Sequence, residues 1–155
     1  TALGGLTHIT LIDRTLSRED VHSLEAACDV FVSLHRSEGF GLAVAEAMFV
    51  GKPVISTDWS ATSEFVTSKN GFPIPHNLIE LSETHGPYEK GQFWADPRLD
   101  DAVTAMQAVA ALPDWGKSLG EQGARDIRTL FAPQVIGKRY TKRLEAMNLW
   151  PESFA

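Results

Sequence analysis

The chain has 155 residues, of which 43% are hydrophobic and 22% are charged, and these values predict one globular domain over 1–155. Its net charge of −6 argues against non-specific nucleic-acid binding, which requires a basic surface. The single cysteine, Cys28, excludes an internal disulfide and indicates a small core residue in a reducing compartment. No apolar run approaches the roughly 18 residues of a membrane span.

The first part of the chain, residues 1–75, alternates short apolar strands with helices. We expect strands at 9–13, 29–34, 53–57 and 72–75, and helices at 18–28, 41–50 and 60–67, the last capped by Ser60. This order predicts an α/β fold with a Rossmann-like parallel sheet of about four strands, covered by helices on both faces. A doubly wound sheet usually has about five or six strands, so we expect its first strands to precede this sequence.

The second part of the chain is predicted to be helical after a long polar connection at 76–95. We expect helices at 96–112, capped by Asp96 with Pro97 at its first position, at 113–131, and from Pro133 to about 150. The last of these has an apolar stripe formed by Val135, Ile136, Tyr140, Leu144 and Met147.

The strongest functional signal lies in residues 38–46, whose sequence is EGFGLAVAE. A turn with two glycines leads into a helix, and between Leu42 and Val50 that helix has one ionisable residue, Glu46. A helix that is apolar on its other faces is normally buried, and a buried carboxylate without a partner is costly. Glu46 therefore needs a dedicated partner, and the surrounding pattern indicates a ligand.

The loop at 35–40 follows an expected strand, at the sheet edge where open α/β folds bind ligands. It leads to a helix N-terminus whose free amides, at 41–43, favour a phosphate, and Gly39 and Gly41 would let a ligand approach the backbone. Ionised carboxylates at both ends of the segment suit vicinal hydroxyl groups. A nucleoside diphosphate sugar presents matching groups in the same order: sugar hydroxyls, diphosphate and ribose hydroxyls.

The motifs EGFG at 38–41, EAM at 46–48 and GKPVI at 51–55 resemble the family 4 (group 1) glycosyltransferases of the GT-B fold. The hallmark of that family is a pair of glutamates separated by seven residues. The match covers about 29–66, and the sequence WADP at 94–97 is similar to the family's C-terminal region. The resemblance implies the donor-binding, C-terminal part of a retaining enzyme that transfers a sugar from a nucleotide diphosphate sugar to a glycan or lipid-linked acceptor, as in polysaccharide biosynthesis.

The same resemblance implies roles for individual residues and the absence of a required metal or other cofactor. Glu38 would be the catalytic residue that contacts the donor sugar, and Glu46 would accept hydrogen bonds from the ribose hydroxyls. The expected donor-binding residues are Arg36, Gly39, Phe40, Gly41, Leu42 and Glu46.

The family pattern also predicts what this chain lacks. The family's C-terminal domain normally begins with two further strands and an Arg/Lys pair that neutralises the diphosphate, whereas only 37 residues precede Glu38 here. We therefore expect an N-terminally truncated donor domain, without its acceptor domain, that is a poor enzyme alone and can self-associate. We expect it to be cytoplasmic, with the full-length enzyme able to lie at the inner membrane surface.

Structural roles stay open for these residues. Glu38 could cap the following helix, and Glu46 could accept a hydrogen bond from a buried hydroxyl or backbone N–H. Arg36 could be solvated or salt-bridged, and the two glycines could serve turn geometry.

Other functions stay open as well. The chain could be a non-catalytic nucleotide-sugar-binding or scaffolding module with the same fold. A dinucleotide-binding oxidoreductase fits less well, because Val44 occupies the third glycine position of G-x-G-x-x-G. Hydrolysis by paired carboxylates fits less well, because the two acids are spread along a helix end instead of flanking one bond.

Overall fold

The computed structural model describes residues 7–149. The helices in this part of the chain are α1 (Arg18–Ala27), α2 (Leu42–Phe49), α3 (Leu99–Ala111), α4 (Pro113–Phe131) and α5 (Pro133–Ala146). The strands are β1 (Phe31–Ser33), β2 (Val54–Thr57), β3 (Phe72–Ile74), β4 (His76–Glu80) and β5 (Phe93–Pro97), and a short 3₁₀ helix spans Ser60–Glu64.

The centre of the fold is a parallel sheet with the strand order β1-β2-β3. Phe31 lies opposite Val54, and Ile55 lies opposite Phe72, so the carboxyl ends of the three strands meet at one edge. All four residues of β2 are buried, as expected for a central strand whose two faces are covered by helices. The predicted α/β class with a parallel sheet is confirmed.

The sheet has three described strands instead of the four that the sequence predicts, because residues 9–13 do not form a strand. The side chains of Ile9, Leu11 and Ile12 are exposed, with 43%, 68% and 44% of their surface accessible. A β-branched run gains strand stability from cross-strand partners and burial, and this segment has neither among the described residues.

The segment at 76–95, predicted to be a long polar connection, forms most of an antiparallel hairpin of β4 and β5. Leu78 lies opposite Ala95, which is fully buried, and Trp94 stacks on His85. Because Pro97 is the last residue of β5, α3 begins at Leu99 with Arg98 as its N-cap residue. The prediction that Asp96 caps this helix is wrong.

Ser60 also differs from its predicted role as a helix cap. Trp59 is the N-cap residue of the 3₁₀ helix, and Ser60 is its first residue, in the left-handed region with φ +65°. Its hydroxyl donates to the backbone carbonyl of Glu38. The side chain therefore joins the loop after β2 to the loop after β1.

Two clusters of buried side chains lie on opposite faces of the sheet. The first joins α2, β2 and α4 through Val44, Met48, Val54 and Ile127, and the second includes Ile55 and Ala105. The α4 glycines permit this packing: a Cβ on Gly120 would lie 2.3 Å from the carbonyl oxygen of Gly51.

The last helix, α5, packs less closely than the others. Although its first residue is Pro133 as predicted, none of its described residues is buried, and Tyr140 is 67% exposed. The apolar stripe of this helix is thus partly covered, with Val135, Ile136 and Leu144 half-buried and Tyr140 and Met147 exposed. Within residues 7–149, no helix is both long and apolar enough to cross a membrane.

Candidate functional site

The loops that follow β1 and β2 are joined by hydrogen bonds at the carboxyl edge of the sheet. The His35 Nε2 atom lies 3.2 Å from both the Trp59 carbonyl oxygen and the Thr62 hydroxyl. Thr62 is fully buried, and its hydroxyl also donates to the carbonyl oxygen of Thr57 at 3.1 Å. His35 therefore has a structural role in holding the two loops together.

Glu38 lies in the first of these loops and is exposed. Its Oε2 atom accepts a hydrogen bond from the Gly41 N–H at 3.2 Å, just before α2 begins. This contact satisfies one of the free amides at the helix N-terminus, as a capping side chain does. An ionised carboxylate can accept several hydrogen bonds, so this contact and binding to a hydroxyl group are compatible.

The two glycines around Phe40 differ in what the protein itself requires of them. Gly41 has φ +82°, and a Cβ there would lie 2.4 Å from the Thr62 Cγ2 atom, so both conformation and packing demand glycine. Gly39 has no such φ, and a Cβ there would have no described atom within 4 Å. The backbone at Gly39 is thus open to an incoming molecule.

The amide groups of the first turn of α2 lack acceptors within the helix. The first intrahelical bond runs from the Ala45 N–H to the Gly41 carbonyl oxygen at 3.0 Å. The preceding amides, at 42–44, have no intrahelical acceptor, and the helix dipole gives this end a partial positive charge. An anionic group would be stabilised here.

Glu46 lies one turn further along α2, on the wall of a cavity of about 580 Å³. The cavity is lined by α1, α2, the end of α4, the start of α5 and the loop residue Phe40. The Glu46 side chain is 19% exposed and pairs with the Arg18 guanidinium, while His22 Nε2 lies 3.9 Å from its Oε1 atom. The predicted need for a partner is met within the protein by Arg18, and the carboxylate still faces the cavity.

Sequence reasoning missed the contribution of α1 to this cavity. Arg18, His22 and Glu25 all line it, and Ser17 caps their helix by accepting from the Asp20 N–H at 3.0 Å. The spacing of four and then three residues places all three on one helical face. The sequence signal for this contribution was the helical spacing of three polar residues, which predicts a polar face on α1.

Two groups near the cavity have shifted pKa values. Burial, and then the charge of Glu46, raise the pKa of the Glu25 carboxyl, while His22 and Arg18 lower it. Burial raises the pKa of the Cys28 thiol, which donates to the Glu25 carbonyl oxygen at 3.1 Å. Cys28 is accordingly a poor nucleophile at neutral pH.

The other predicted site residues divide between the cavity and its surroundings. Phe40 lines the cavity and packs edge-on against Phe131, with ring centroids 5.2 Å apart. Leu42 is exposed at the start of α2. Arg36 lies outside the cavity lining and pairs with Asp96 at 3.1 Å, with about half of each side chain exposed.

Comparison with known proteins identifies the family. The family model described as "Glycosyl transferases group 1" matches residues 1–84, more than half of the chain. The chain belongs to this family. The predicted family resemblance is thereby confirmed.

Individual relatives named as glycosyltransferases are similar to this chain. The "Putative glycosyltransferase ORF330" of Acidianus filamentous virus 2 is 43% identical over 135 residues, which cover 86% of this chain and 36% of that protein. The lipopolysaccharide core biosynthesis mannosyltransferase LpsB of Rhizobium meliloti is 56% identical over 41 residues, 26% of this chain and 12% of that protein. The chain thus spans about a third or less of these relatives.

A solved structure shares the fold of this group 1 glycosyltransferase chain. Anabaena Alr3699/HepE, crystallised with UDP and glucose, superposes with a TM-score of 0.62 at 20% sequence identity. The alignment covers 83% of this chain and 30% of HepE. The α/β architecture therefore matches that of GT-B glycosyltransferases.

Proposed function

We propose that this chain is the donor-binding domain of a retaining glycosyltransferase and binds a nucleoside diphosphate sugar between Glu38 and Glu46. The full enzyme would transfer the sugar to a glycan or lipid-linked acceptor held by another domain. Without that domain the chain would bind the donor and be a poor catalyst.

The observation that carries the proposal is the position of Glu46. Its carboxylate is largely buried on the wall of a cavity, about 7–8 Å along the helix axis from Gly41 at 1.5 Å per residue. An acceptor-only group in such a place suits a pair of ribose hydroxyls. Arg18 can remain beside it, because a carboxylate accepts more than one hydrogen bond.

The start of α2 supports a neighbouring position for the diphosphate. The free amides at 42–44 and the helix dipole favour an anion, and Gly39 leaves the adjoining backbone uncovered. The Arg18 guanidinium lines the cavity beside Glu46 and adds positive charge there. Arg18 is therefore a candidate for the cationic partner of the diphosphate, a role that the family pattern gives to an Arg/Lys pair N-terminal to this sequence.

The sugar would extend from the diphosphate towards the loop at 35–40. Glu38 is exposed there and keeps further acceptor capacity beyond its bond to the Gly41 N–H. HepE, which shares this fold, was crystallised with UDP and glucose, and the donor class proposed here is of the same kind. We propose retention of the anomeric configuration because the family resemblance implies it.

A binding titration tests the proposal. The chain, treated with EDTA, would be titrated with UDP, GDP and ADP and their sugar conjugates, with heat or tryptophan fluorescence as the readout. We expect one nucleotide series to saturate a single site. Because a hydrogen bond to a charged group is worth about 1.5–3 kcal/mol, Glu46→Gln should weaken this binding by roughly 10- to 100-fold.

The matched control is Glu121→Gln, which removes an exposed carboxylate from α4 outside the cavity lining. This variant should bind like the parent chain. Equal affinities for the parent and Glu46→Gln, or no saturable binding in any nucleotide series, would contradict the proposal.

A further inference from the structure

Three potential metal ligands converge where α1 meets α2. His22, Glu25 and Glu46 each offer one ligand atom, and these atoms all lie within 4.8 Å of one another. His22 and Glu25 are three residues apart on α1 and therefore share a helical face. Glu46 reaches the same point from α2, with its Oε1 atom 3.9 Å from His22 Nε2.

Glu25 provides an independent indication that something binds here. The residue is only 6% exposed and lines the cavity, and its Oε2 atom has no hydrogen-bond partner among residues 7–149. A buried carboxylate oxygen without a partner is costly, and the nearby carboxylate of Glu46 adds repulsion when both are ionised. A cation between the two carboxylates would remove both penalties.

We propose that His22, Glu25 and Glu46 bind a divalent transition-metal ion, with Zn²⁺ as the best match to the donor set. One imidazole and two carboxylates suit zinc, whereas magnesium and calcium prefer oxygen ligands only. Three protein ligands with a further position open are typical of accessible zinc sites. Here the open position would face the cavity.

Zinc binding requires the three side chains to draw closer together. Two ligand atoms of a tetrahedral zinc ion lie about 3.4 Å apart, because each bond is about 2.1 Å long. The observed limit of 4.8 Å exceeds this by about 1.4 Å. The His22 side chain is 52% exposed and can rotate towards the two carboxylates.

Arg18 is the competing cation for Glu46. Its side chain is 59% exposed at the first position of α1, so it can move into solvent or stay on the second carboxylate oxygen when the ion binds. The metal proposal does not rest on the proposed donor binding, although Glu46 belongs to both. The two are therefore tested separately, metal without nucleotide and nucleotide in EDTA.

Calorimetric titration with zinc chloride tests the metal site. After removal of metal with EDTA and buffer exchange, we expect one saturable ion per chain. Loss of an outer-shell partner alone costs roughly 10- to 100-fold in metal affinity, so removing a direct ligand by Glu25→Gln or His22→Gln should cost at least that much. The control Glu19→Gln, which neutralises an exposed acid on the same helix, should leave the affinity unchanged.

A spectroscopic measurement on the parent chain identifies the ligands directly. The imidazole signals of His22 should shift on zinc addition in proton–nitrogen correlation spectra, while those of His76 and His85 stay in place. The proposal would be overturned by saturable zinc binding that survives Glu25→Gln, by a signal that shifts at another histidine only, or by no saturable binding.

Discussion

The two ends of the EGFGLAVAE segment differ in how completely the protein satisfies them. At the Glu38 end, the carboxylate accepts from Gly41, the loop carbonyl accepts from Ser60, and His35 and Thr62 join the neighbouring loops. At the Glu46 end, the carboxylate lies on a cavity wall beside a buried Glu25 oxygen that has no partner among the described residues.

The difference indicates that the Glu38 end mainly maintains the fold, while the Glu46 end has the greater capacity to bind a ligand. The Glu38 end is held by internal contacts that fix the loop and the start of α2, whereas the Glu46 end has room, charge and unmet hydrogen-bonding capacity. Substitutions that remove these internal contacts at the first end should mainly lower stability, and substitutions at the second end should mainly change what the chain binds.

The largest effect on stability is expected from Gly41→Ala. A left-handed conformation costs a non-glycine residue roughly 1–2 kcal/mol, and overpacking against the buried Thr62 methyl adds about 1–3 kcal/mol. We therefore expect a loss of about 2–5 kcal/mol in the free energy of unfolding, measured by urea denaturation. The control is Gly51→Ala, where φ is +81° but no described atom lies within 4 Å of the added Cβ. Equal losses in both variants would show that the Thr62 contact is unimportant.

In contrast to Gly41→Ala, Gly39→Ala should change ligand binding more than stability. Its Cβ would enter open space and its φ is not in the left-handed region, so the free energy of unfolding should change by no more than about 0.5 kcal/mol. If a ligand approaches this backbone, the added methyl group should weaken nucleotide-sugar binding by about tenfold, or 1.4 kcal/mol. Unchanged affinity with unchanged stability would place the ligand elsewhere.

Glu38→Ala should lower stability modestly through loss of the bond to the Gly41 N–H. One such hydrogen bond contributes about 1 kcal/mol, which urea denaturation can resolve. Glu64→Ala, at an exposed position of the 3₁₀ helix, is the control and should be close to neutral. A neutral Glu38→Ala would show that this carboxylate does not stabilise the helix start.

The smallest effect is expected from Glu25→Gln in metal-free buffer, and it should depend on pH. Because the pKa of the folded Glu25 carboxyl is raised above 4.5, the folded state binds its proton more tightly than the unfolded state does. Loss of the Glu25 proton as pH rises therefore lowers the free energy of unfolding. This loss of stability is absent at a pH below the unfolded-state pKa, where the carboxyl is protonated in both states. Thermal denaturation should show Glu25→Gln to be more stable than the parent at pH 7, with the gain vanishing below about pH 4. A pH-independent difference would contradict the assigned shift.

The sequence was informative where local patterns determine structure. Ser17 predicted the α1 start correctly because capping is local, and the buried strand at 54–57 followed from its apolar run. The hairpin at 76–97 was missed because its pairing joins residues up to about twenty positions apart across polar sequence. Residues 9–13 have the composition of a strand, but a strand also needs a neighbour.

The candidate site was predictable in part for the same reason. The motif located Glu38, Gly39 and Glu46, whose spacing within one segment carries the signal. The partners of Glu46 come from α1, 21–28 residues earlier in the chain, and only tertiary packing brings them together. Neither α1 nor the segment 38–46, taken alone, shows that Glu38 has an internal hydrogen-bond partner while Glu46 faces a cavity.

The central claim is that donor binding is concentrated at the start of α2 and along the Glu46 wall. Backbone amide spectra of the chain, recorded during titration with the nucleotide sugar that binds best, test this most directly. We predict that the largest shifts fall on the amides at 39–44 and on residues around Glu46 and Arg18. Shifts confined to the hairpin or to α5, with these amides unchanged, would contradict the account.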